Sequence, residues 1–587
     1  MESQAGSPSP LPIELMVEIL ENLNYRDLLN CRLVSRSFRD TIDHTDSTQY
    51  KISLASAGMS DNPLNATSKH RKHELLRQHH VKWSSRSKET VLDESEIPGK
   101  KTYPVRKTGS KLELVGGVLA QNANGNTIEF VRLPSISRGI QEEIWTVQLP
   151  CSHLVFTMDP GQDLLVIVEP RNLAHTIYGS GEVDIYVTIY LVAFPLRTTD
   201  LYFLSMSTGE PYPDSHSPIL AVPAYHFGRF KVDINGPYIG FFAEQPRPHL
   251  PRVYVWNWVT GEAQCCIESA DNRKISSYVF LDDTRILLAL QQNEINSPSS
   301  RPLPPRNAPR LEIVGFRRNA MVDRWILLLP PLKAGVEFVR LLLSCEPGPL
   351  NIPPPSDKPP FHLFDVAESG QSGERVVMFI MSPFQNPPAI TTSFLSTKLL
   401  NIPLAFPAAD DGVSWVEWQQ WGPSTVHMDI MPNRSGLWQS ITYGTKTISL
   451  RSYNNDVDAK IVVRDFARGA ARREELCPAE THETHETLGL TSDVSNFIRT
   501  RVFDEDVKTF LPYTEFEISG RVTPRDQVML SEDSVVFIEI SHPDLSPKVF
   551  TRFDTKILEV LLSTVFPQVE VRTTTVHYTL GTTYPVD

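Results

Sequence analysis

Residues 11–42, LPIELMVEILENLNYRDLLNCRLVSRSFRDTI, carry their apolar positions at a helical period. Leu15, Met16, Ile19, Leu20 and Leu23 recur at spacings of three and four, which gathers them on one face of a helix. Pro12 suits the first turn of that helix, and Glu14 lies at the positive end of its dipole. Asn24 is the N-cap of a second helix, Tyr25 to Leu33, with Leu28, Leu29 and Leu33 as its predicted buried set. Ser35 caps a third helix carrying Phe38 and Ile42. Roughly 40 residues seldom bury enough surface to offset their chain entropy, so these apolar faces need a partner or the rest of the chain. The pattern is that of a docking module.

Past residue 105 the period changes to that of short strands. Apolar runs follow Gly, Asp or Asn turns in GQDLLVIV at 161–168, NGPYIGFF at 235–242, DDTRILLAL at 282–290, GERVVMFIM at 373–381 and EDSVVFIE at 532–539, and each reads as an inner strand. LYFLSMSTGE at 201–210 and VYVWNWVTGE at 253–262 both run alternating apolar residues into a Thr-Gly-Glu turn. The second resembles the third strand and turn of a WD-type repeat, although the chain has no Trp-Asp dipeptide. Repeated four-stranded units without regular helices point to a β-propeller, whose radial packing hides the strand edges that an open sheet of this size would expose. The expected fold is therefore mainly β with a small α N-terminal domain: three helices, a linker helix, then an irregular propeller of about seven blades over 105–587. A two-sheet or double-domain β architecture is the alternative. The stretch 569–580 alternates well enough to be the last strand, and a strand within 103–119 is its expected partner in closing the ring. Proline-rich insertions at 297–310 and 347–361 are expected to lie outside the strands, where proline costs no ladder hydrogen bond.

Between these regions, residues 45–104 read as a linker with one helix near 68–85, in which Leu76 and Trp83 pack and a basic face is solvated. Residues 1–10 read as a disordered tail, with neither the basic start nor the apolar stretch of a signal peptide. No apolar run approaches the roughly 18 residues needed to cross a bilayer, so no membrane contact is expected. The formal charge of −13 argues against nucleic-acid binding, which needs a basic footprint. Six cysteines in 587 residues form no disulfide framework and read as reduced thiols, with Cys265 and Cys266 on opposite faces of a strand.

Signatures of catalysis are largely missing: there is no Walker loop, GxSxG elbow, HExxH helix or zinc-spaced CxxC pair. His482 and His485 in THETHET at 481–487 are better read as a polar loop than as metal ligands, because the run lacks apolar neighbours to fix a geometry. No catalytic residue, metal site or cofactor is assigned. Arg247, Arg252, Arg285, Arg317 and Arg318 fall near turns and could meet an acidic target, but nothing in the pattern puts them on one face. The cluster WVEWQQW at 415–421 reads as core packing.

The N-terminal region resembles the F-box. The family's Leu-Pro start, acidic residue, paired aliphatics, Asp-Leu opening of the second helix and Val-Ser-x-x-Phe-Arg ending are met by Leu11, Pro12, Glu14, Leu15, Ile19, Leu20, Leu23, Asp27, Leu28, Val34, Ser35, Phe38 and Arg39, within a domain spanning 11–44. A helix ending in Trp83 at this distance further resembles a large group of fungal F-box proteins. The resemblance implies docking onto a Skp-type adaptor, and through it a cullin, with Leu11, Pro12, Leu15, Ile19, Leu20, Leu28, Val34 and Phe38 as the adaptor contacts. It implies a non-catalytic substrate receptor of a ubiquitin ligase, cytoplasmic or nuclear, whose propeller holds a protein target. A propeller enzyme and a non-ubiquitinating F-box scaffold are the contrasting readings.

Overall fold

The computed structural model describes residues 11–579 apart from 85–99, 106–111, 171–197, 224–229, 244–250, 292–308, 351–358, 364–374, 384–390, 432–440, 467–495, 542–571 and some shorter stretches. THETHET, the side chain of Trp83, Arg247, Cys477, Trp438 and the first proline-rich insertion up to 308 lie outside the described residues.

The fold is mainly β with a helical start. Hydrogen-bond pairing sorts the strands into seven sheets of four or five strands, besides two short pairs. Sheet I holds Leu112–Val115, Val118–Asn124, Thr127–Arg132 and Glu143–Gln148. Sheet II holds Val155–Asp159, Leu164–Pro170, Thr198–Ser205 and Ile219–Pro223. Sheet III holds Phe230–Asn235, Tyr238–Ala243, Arg252–Asn257 and Glu262–Ile267. Sheet IV holds Lys274–Phe280, Arg285–Gln291, Arg310–Gly315 and Arg324–Leu328, and sheet V holds Phe338–Ser344, Val377–Pro383, Thr391–Ser396 and Val426–Met431. Sheet VI is Thr442–Tyr443, Lys446–Tyr453, Asp458–Asp465 and Thr514–Val522. Sheet VII is Gln527–Leu530, Ser534–Ser541, Arg572–Thr579 and, from the other end of the chain, Lys100–Val105.

The sheets follow one another around a ring. First strands of successive sheets touch from I to II, II to III, III to IV and IV to V; strands of V, VI and VII touch in turn, and VII meets I through Met529 and Val536 against Leu114 and Val131. Five blades are recognisable as a propeller-like arrangement among the described residues, within a ring whose sheets number the expected seven. The C-terminal stretch closes the ring as expected, but its partner lies earlier than 103–119 for the most part: Arg572–Thr579 pairs antiparallel with Lys100–Val105, with Tyr103 opposite Thr575.

Why the apolar runs are continuous rather than alternating follows from where the cores lie. The cores lie in the seams between sheets, and consecutive residues of a strand serve different seams: Leu164, Val166 and Val168 pack towards sheet III, whereas Leu165 and Ile167 pack towards sheet I. A strand buried on both faces has no solvent side to carry polar residues. The five runs singled out in the sequence are the second strands of sheets II, III, IV, V and VII. The two Thr-Gly-Glu segments join third to fourth strands, and their glycines, Gly209 at φ +79° and Gly261 at φ +74°, adopt a conformation that disfavours a side chain. A Cβ on Gly209 would strike Val147 of sheet I, and one on Gly261 would strike the His216 ring of sheet II. Each such turn packs on the preceding sheet.

Two excursions break the regular pattern. Between the last two strands of sheet V, the strand Val413–Val416 crosses to sheet IV and adds a parallel fifth strand against Arg324–Leu328, covering an open edge. The helix Trp418–Thr425 after it buries Trp418 and Trp421 in the seam between sheets IV and V, as core packing predicts, while Trp415 stays 41% exposed beneath the Arg310 guanidinium. The described prolines of the second insertion stay outside the strands as expected, and only its last residue enters one: Phe361–Leu363 pairs antiparallel with Met59–Asp61, which places Asp61 opposite Phe361.

Candidate functional site

Five helices precede the ring: α1 Ile13–Glu21, α2 Tyr25–Val34, α3 Arg36–His44, α4 Asp46–Ala57 and α5 Lys69–Ser84. The sequence places the starts of α1, α2 and α3 correctly. Pro12 immediately precedes α1, and its carbonyl oxygen accepts from the Met16 amide at 3.1 Å. The Asn24 side-chain oxygen accepts from the amides of Arg26 at 2.9 Å and Asp27 at 3.0 Å, and Ser35 Oγ accepts from the Phe38 amide at 3.1 Å. These satisfy donors that a helix start otherwise leaves open. An ion pair of 2.8 Å between Arg32 and Asp43 ties α2 to α3.

The core among α1, α2 and α3 is small: Leu20, Leu28 and Ile42 are fully buried, flanked by Met16, Leu23, Cys31, Phe38 and Ile52. It is too small to absorb the apolar side chains the helices carry. Leu29 and Leu33, expected beside Leu28 in the buried set of α2, are instead exposed, Leu33 to 79%. The reason is angular: Leu28 points at the three-helix core, and Leu29 and Leu33, four residues apart, fall on another side of the helix. Tyr25 lies four residues before Leu29 and continues the same stripe. On α1, Leu15 and Ile19 form a second exposed stripe, continued by Leu11 ahead of the helix.

The residues expected to meet the adaptor thus divide. Leu11, Pro12, Leu15, Ile19 and Val34 are exposed. Leu20 and Leu28 are buried at the centre of the small core, and Phe38 is half-buried against it. Their place is beneath the exposed face, which they hold in shape. Ile13, Tyr25, Leu29 and Leu33 are exposed apolar residues that the sequence reading left out of the face. The available signal was that α1 carries apolar residues at 13, 15, 16, 19 and 20, a wider arc than one small core can cover.

Helix α4 was not expected within the 45–104 linker, and it joins the two parts of the molecule. Its Ile52 packs against the α1–α3 core, Lys51 donates to the carbonyl oxygens of Glu21 at 2.6 Å and Leu23 at 3.0 Å, and Thr48 donates to the Ile42 carbonyl at 2.8 Å. On its other side Tyr50, Leu54 and Ala57 enter a core of the ring with Phe361, Met378, Ile380, Ile448 and Ile461. Leu76 of α5, the predicted linker helix, joins that core as expected, but its basic face is not all solvated: Lys72 is buried.

Elsewhere three of the arginines near turns are taken up by neighbouring acids. Arg252 pairs with Glu268 at 2.6 Å, Arg285 with Asp282 at 2.6 Å and Arg317 with Asp283 at 3.0 Å, so each is held by an acid close by. Among the described residues no group of three or more His, Cys, Asp or Glu side chains is placed to hold a metal ion, and no helix is long and apolar enough to cross a membrane. Cys31, Cys151, Cys265, Cys266 and Cys345 are free thiols, and burial pushes the Cys151 and Cys265 thiols up to about 12, away from reactive thiolates.

Comparison with known families matches the F-box domain to residues 9–50, which takes in α1, α2, α3 and the start of α4. No curated protein matches. Among solved structures, similar chains include a eukaryotic initiation factor, 11% identical, covering 61% of this chain and 85% of its own at a TM-score of 0.25. An uncharacterised protein of Listeria monocytogenes, 8% identical, covers 63% of this chain and 96% of its own at a TM-score of 0.25. An acylaminoacyl peptidase in complex with a chloromethyl ketone, 10% identical, covers 75% of this chain and 51% of its own at a TM-score of 0.29. Likenesses at these TM-scores carry no inference about function. F-box domains in general bind Skp-type adaptors, and proteins that carry them are typically non-enzymatic. With the family matched across α1 to α3 and a ring of sheets behind it, the chain is an F-box protein with a C-terminal β-propeller region.

Proposed function

We propose that this chain is the substrate-recognition subunit of a Skp-cullin-F-box ubiquitin ligase. Its α1–α2 face docks on the adaptor, its ring holds a protein target, and the cullin is reached through the adaptor. The observation that carries the reading is the exposed apolar set Leu11, Leu15, Ile19, Leu29, Leu33 and Val34 on a three-helix unit whose own core is already filled by Leu20, Leu28 and Ile42. So much apolar surface on so small a unit is the mark of an interface. Leu11, Pro12, Leu15, Ile19 and Val34 make the direct contacts in this reading, and Leu20, Leu28 and Phe38 hold the helices in the shape that presents them. The chain itself performs no chemistry; it supplies proximity between target and conjugating enzyme. Cytoplasmic or nuclear location follows, because the ubiquitin machinery works there.

The test is reconstitution. Full-length protein titrated with a Skp-type adaptor should bind with saturable heat, and addition of cullin, RING protein and charged conjugating enzyme should move ubiquitin onto proteins captured by the ring. Adaptor binding without cullin recruitment would favour a scaffold instead, and no adaptor binding would reject the reading.

A further inference from the structure

The joint between the docking helices and the ring has its polar contacts gathered on one carboxylate. Asp61 ends the short strand that pairs with Phe361–Leu363. One of its oxygens accepts from the Tyr50 hydroxyl at 3.0 Å and from the Lys72 amine at 2.8 Å; the other takes the Lys69 amine. The partners come from different elements, Tyr50 from α4 and the lysines from α5. The same groups also reach outwards. Tyr50 Oη lies 3.3 Å from the Pro360 carbonyl oxygen, Lys72 donates to the Asn62 carbonyl at 2.7 Å, and the Asn62 side chain donates to the Pro359 carbonyl at 2.7 Å. Asp61 therefore sits where α4, α5 and the segment inserted in sheet V meet.

Two kinds of force act at this joint, and they do different things. The apolar contacts of Tyr50, Leu54 and Leu76 with Phe361 and the sheet V and VI strands are non-directional, so they hold the parts together without fixing an angle. Charge-assisted hydrogen bonds are short and directional, and three of them meeting on one group from two helices leave little freedom of rotation. Burial opposes ionisation of Asp61, but the Lys69 and Lys72 ammonium groups together outweigh it and hold the carboxyl below its ordinary range. Burial, with the Asp61 charge added, pushes the Tyr50 hydroxyl up, so it remains a donor. The Lys72 side chain is only 3% exposed and depends on this arrangement for its compensation.

We propose that Asp61 is a positioning residue: it locks α4, α5 and the Phe361–Leu363 segment in one orientation and so fixes the distance and angle between the adaptor-docking face and the ring. The proposal rests on the ligase reading above for its functional meaning. Its structural content stands apart from it. In a receptor that works by proximity, displacement of a held target costs transfer even when every binding step is intact.

The experiment measures geometry in the full chain. Spectroscopic labels are introduced through unnatural amino acids at the exposed positions Glu18 on α1 and Thr208 on sheet II, and the distance distribution between them is recorded. The unaltered chain should give one narrow peak. Asp61→Asn keeps the size of the side chain and an acceptor for Tyr50 but cannot neutralise two ammonium groups, so the peak should broaden and shift. Because that variant also leaves Lys72 charged and buried, the double variant Asp61→Asn with Lys72→Met is made beside it; its unfolding midpoint should return towards that of the unaltered chain while the broad distribution persists. A residue that served stability alone would regain the narrow peak with the midpoint. Should Asp61→Asn fail to fold, Lys69→Met, which removes the exposed partner, should broaden the peak to a lesser degree. A narrow, unshifted peak in the folded Asp61 variants would overturn the proposal. Titration of the same proteins with the Skp-type adaptor should give the unaltered affinity throughout, and loss of binding by the unaltered chain itself would reject the ligase reading while leaving the distance result to judge the lock.

Discussion

Arg138 and Glu532 meet at 2.6 Å across the seam between the first and last sheets, each with its side chain only 7% exposed. Arg138 lies on the connection between the last two strands of sheet I, and Glu532 on the turn between the first two strands of sheet VII. This repeats the relation by which the Thr-Gly-Glu turns of sheets II and III pack on the sheet before them. Here the preceding sheet is the one built from both ends of the chain. A buried ion pair adds little over apolar packing, whereas removing one partner strands the other charge in a poor solvent. Arg138→Met should therefore destabilise the ring by roughly 3 to 5 kcal/mol, and Arg138→Met with Glu532→Leu should recover much of it. Chemical unfolding of both variants decides this; a double variant as unstable as the sum of the singles would show that the charges do not depend on each other.

At the docking face, the exposure of Leu11 and Pro12 separates binding from folding. Leu11→Ala with Pro12→Ala should weaken adaptor affinity roughly 30-fold or more, at a cost of ~2 to 4 kcal/mol for lost apolar anchors. The unfolding midpoint should not move. Leu20→Ala should do the opposite first, costing about 2 to 5 kcal/mol of local stability because it empties part of a core with three fully buried members. Calorimetric titration and hydrogen exchange of α1–α3 read the two effects separately, and an unchanged affinity in the Leu11 and Pro12 variant would remove them from the interface.

Truncation should reveal where the ring begins. A fragment from residue 95 lacks Tyr50, Leu54, Met59 and Leu76, which fill the core against Phe361, Met378 and Ile380, so it should bare an apolar face and bind hydrophobic dye or aggregate. A fragment from residue 46 keeps them and should unfold at the midpoint of the full chain. Equal behaviour of the two fragments would mean that α4 and α5 only rest on the ring.

His427 sets an acidic limit on stability. Its ring is buried against Tyr513 at 4.3 Å and Phe466 at 5.8 Å between centroids. Burial, reinforced by the Arg464 charge, lowers its pKa from 6.5 to about 3. The unfolded chain takes up this proton below about pH 6.5 while the folded chain does not, so the folded state loses stability as the pH falls from there towards about 3. Above pH 6.5 the residue contributes no slope. His427→Phe should flatten that limb of the stability curve, and the check is thermal unfolding at a series of pH values; an unaltered acid limb would assign it to other groups.

Much of the site was legible in residues 11–42 because capping is local chemistry. Asn24 and Ser35 act on amides two or three residues away, and no distant contact can displace them. The strands were legible for a related reason: runs such as Leu164 to Val168 are apolar at every position only if both faces are covered, and a closed ring of sheets covers both. Helix α4 escaped notice because its two working faces belong to different partners. Tyr50, Leu54 and Ala57 serve the ring, and Ile52 with Thr48 serves the docking helices, so no single apolar stripe marks it.

The amino-acid sequence by itself determined the starts of α1, α2 and α3, the strand period, the closing strand and the excess of apolar side chains on α1 and α2, since each depends on neighbours a few residues apart. Only the tertiary structure decided which of those side chains fill the small core and which stay outside, because Leu28 and Leu29 differ in nothing but direction. It also decided that Met59–Asp61 pairs with Phe361–Leu363 and that Asp61 meets Tyr50, Lys69 and Lys72. Contacts between residues three hundred positions apart are set by how the ring closes, and no local pattern carries that information.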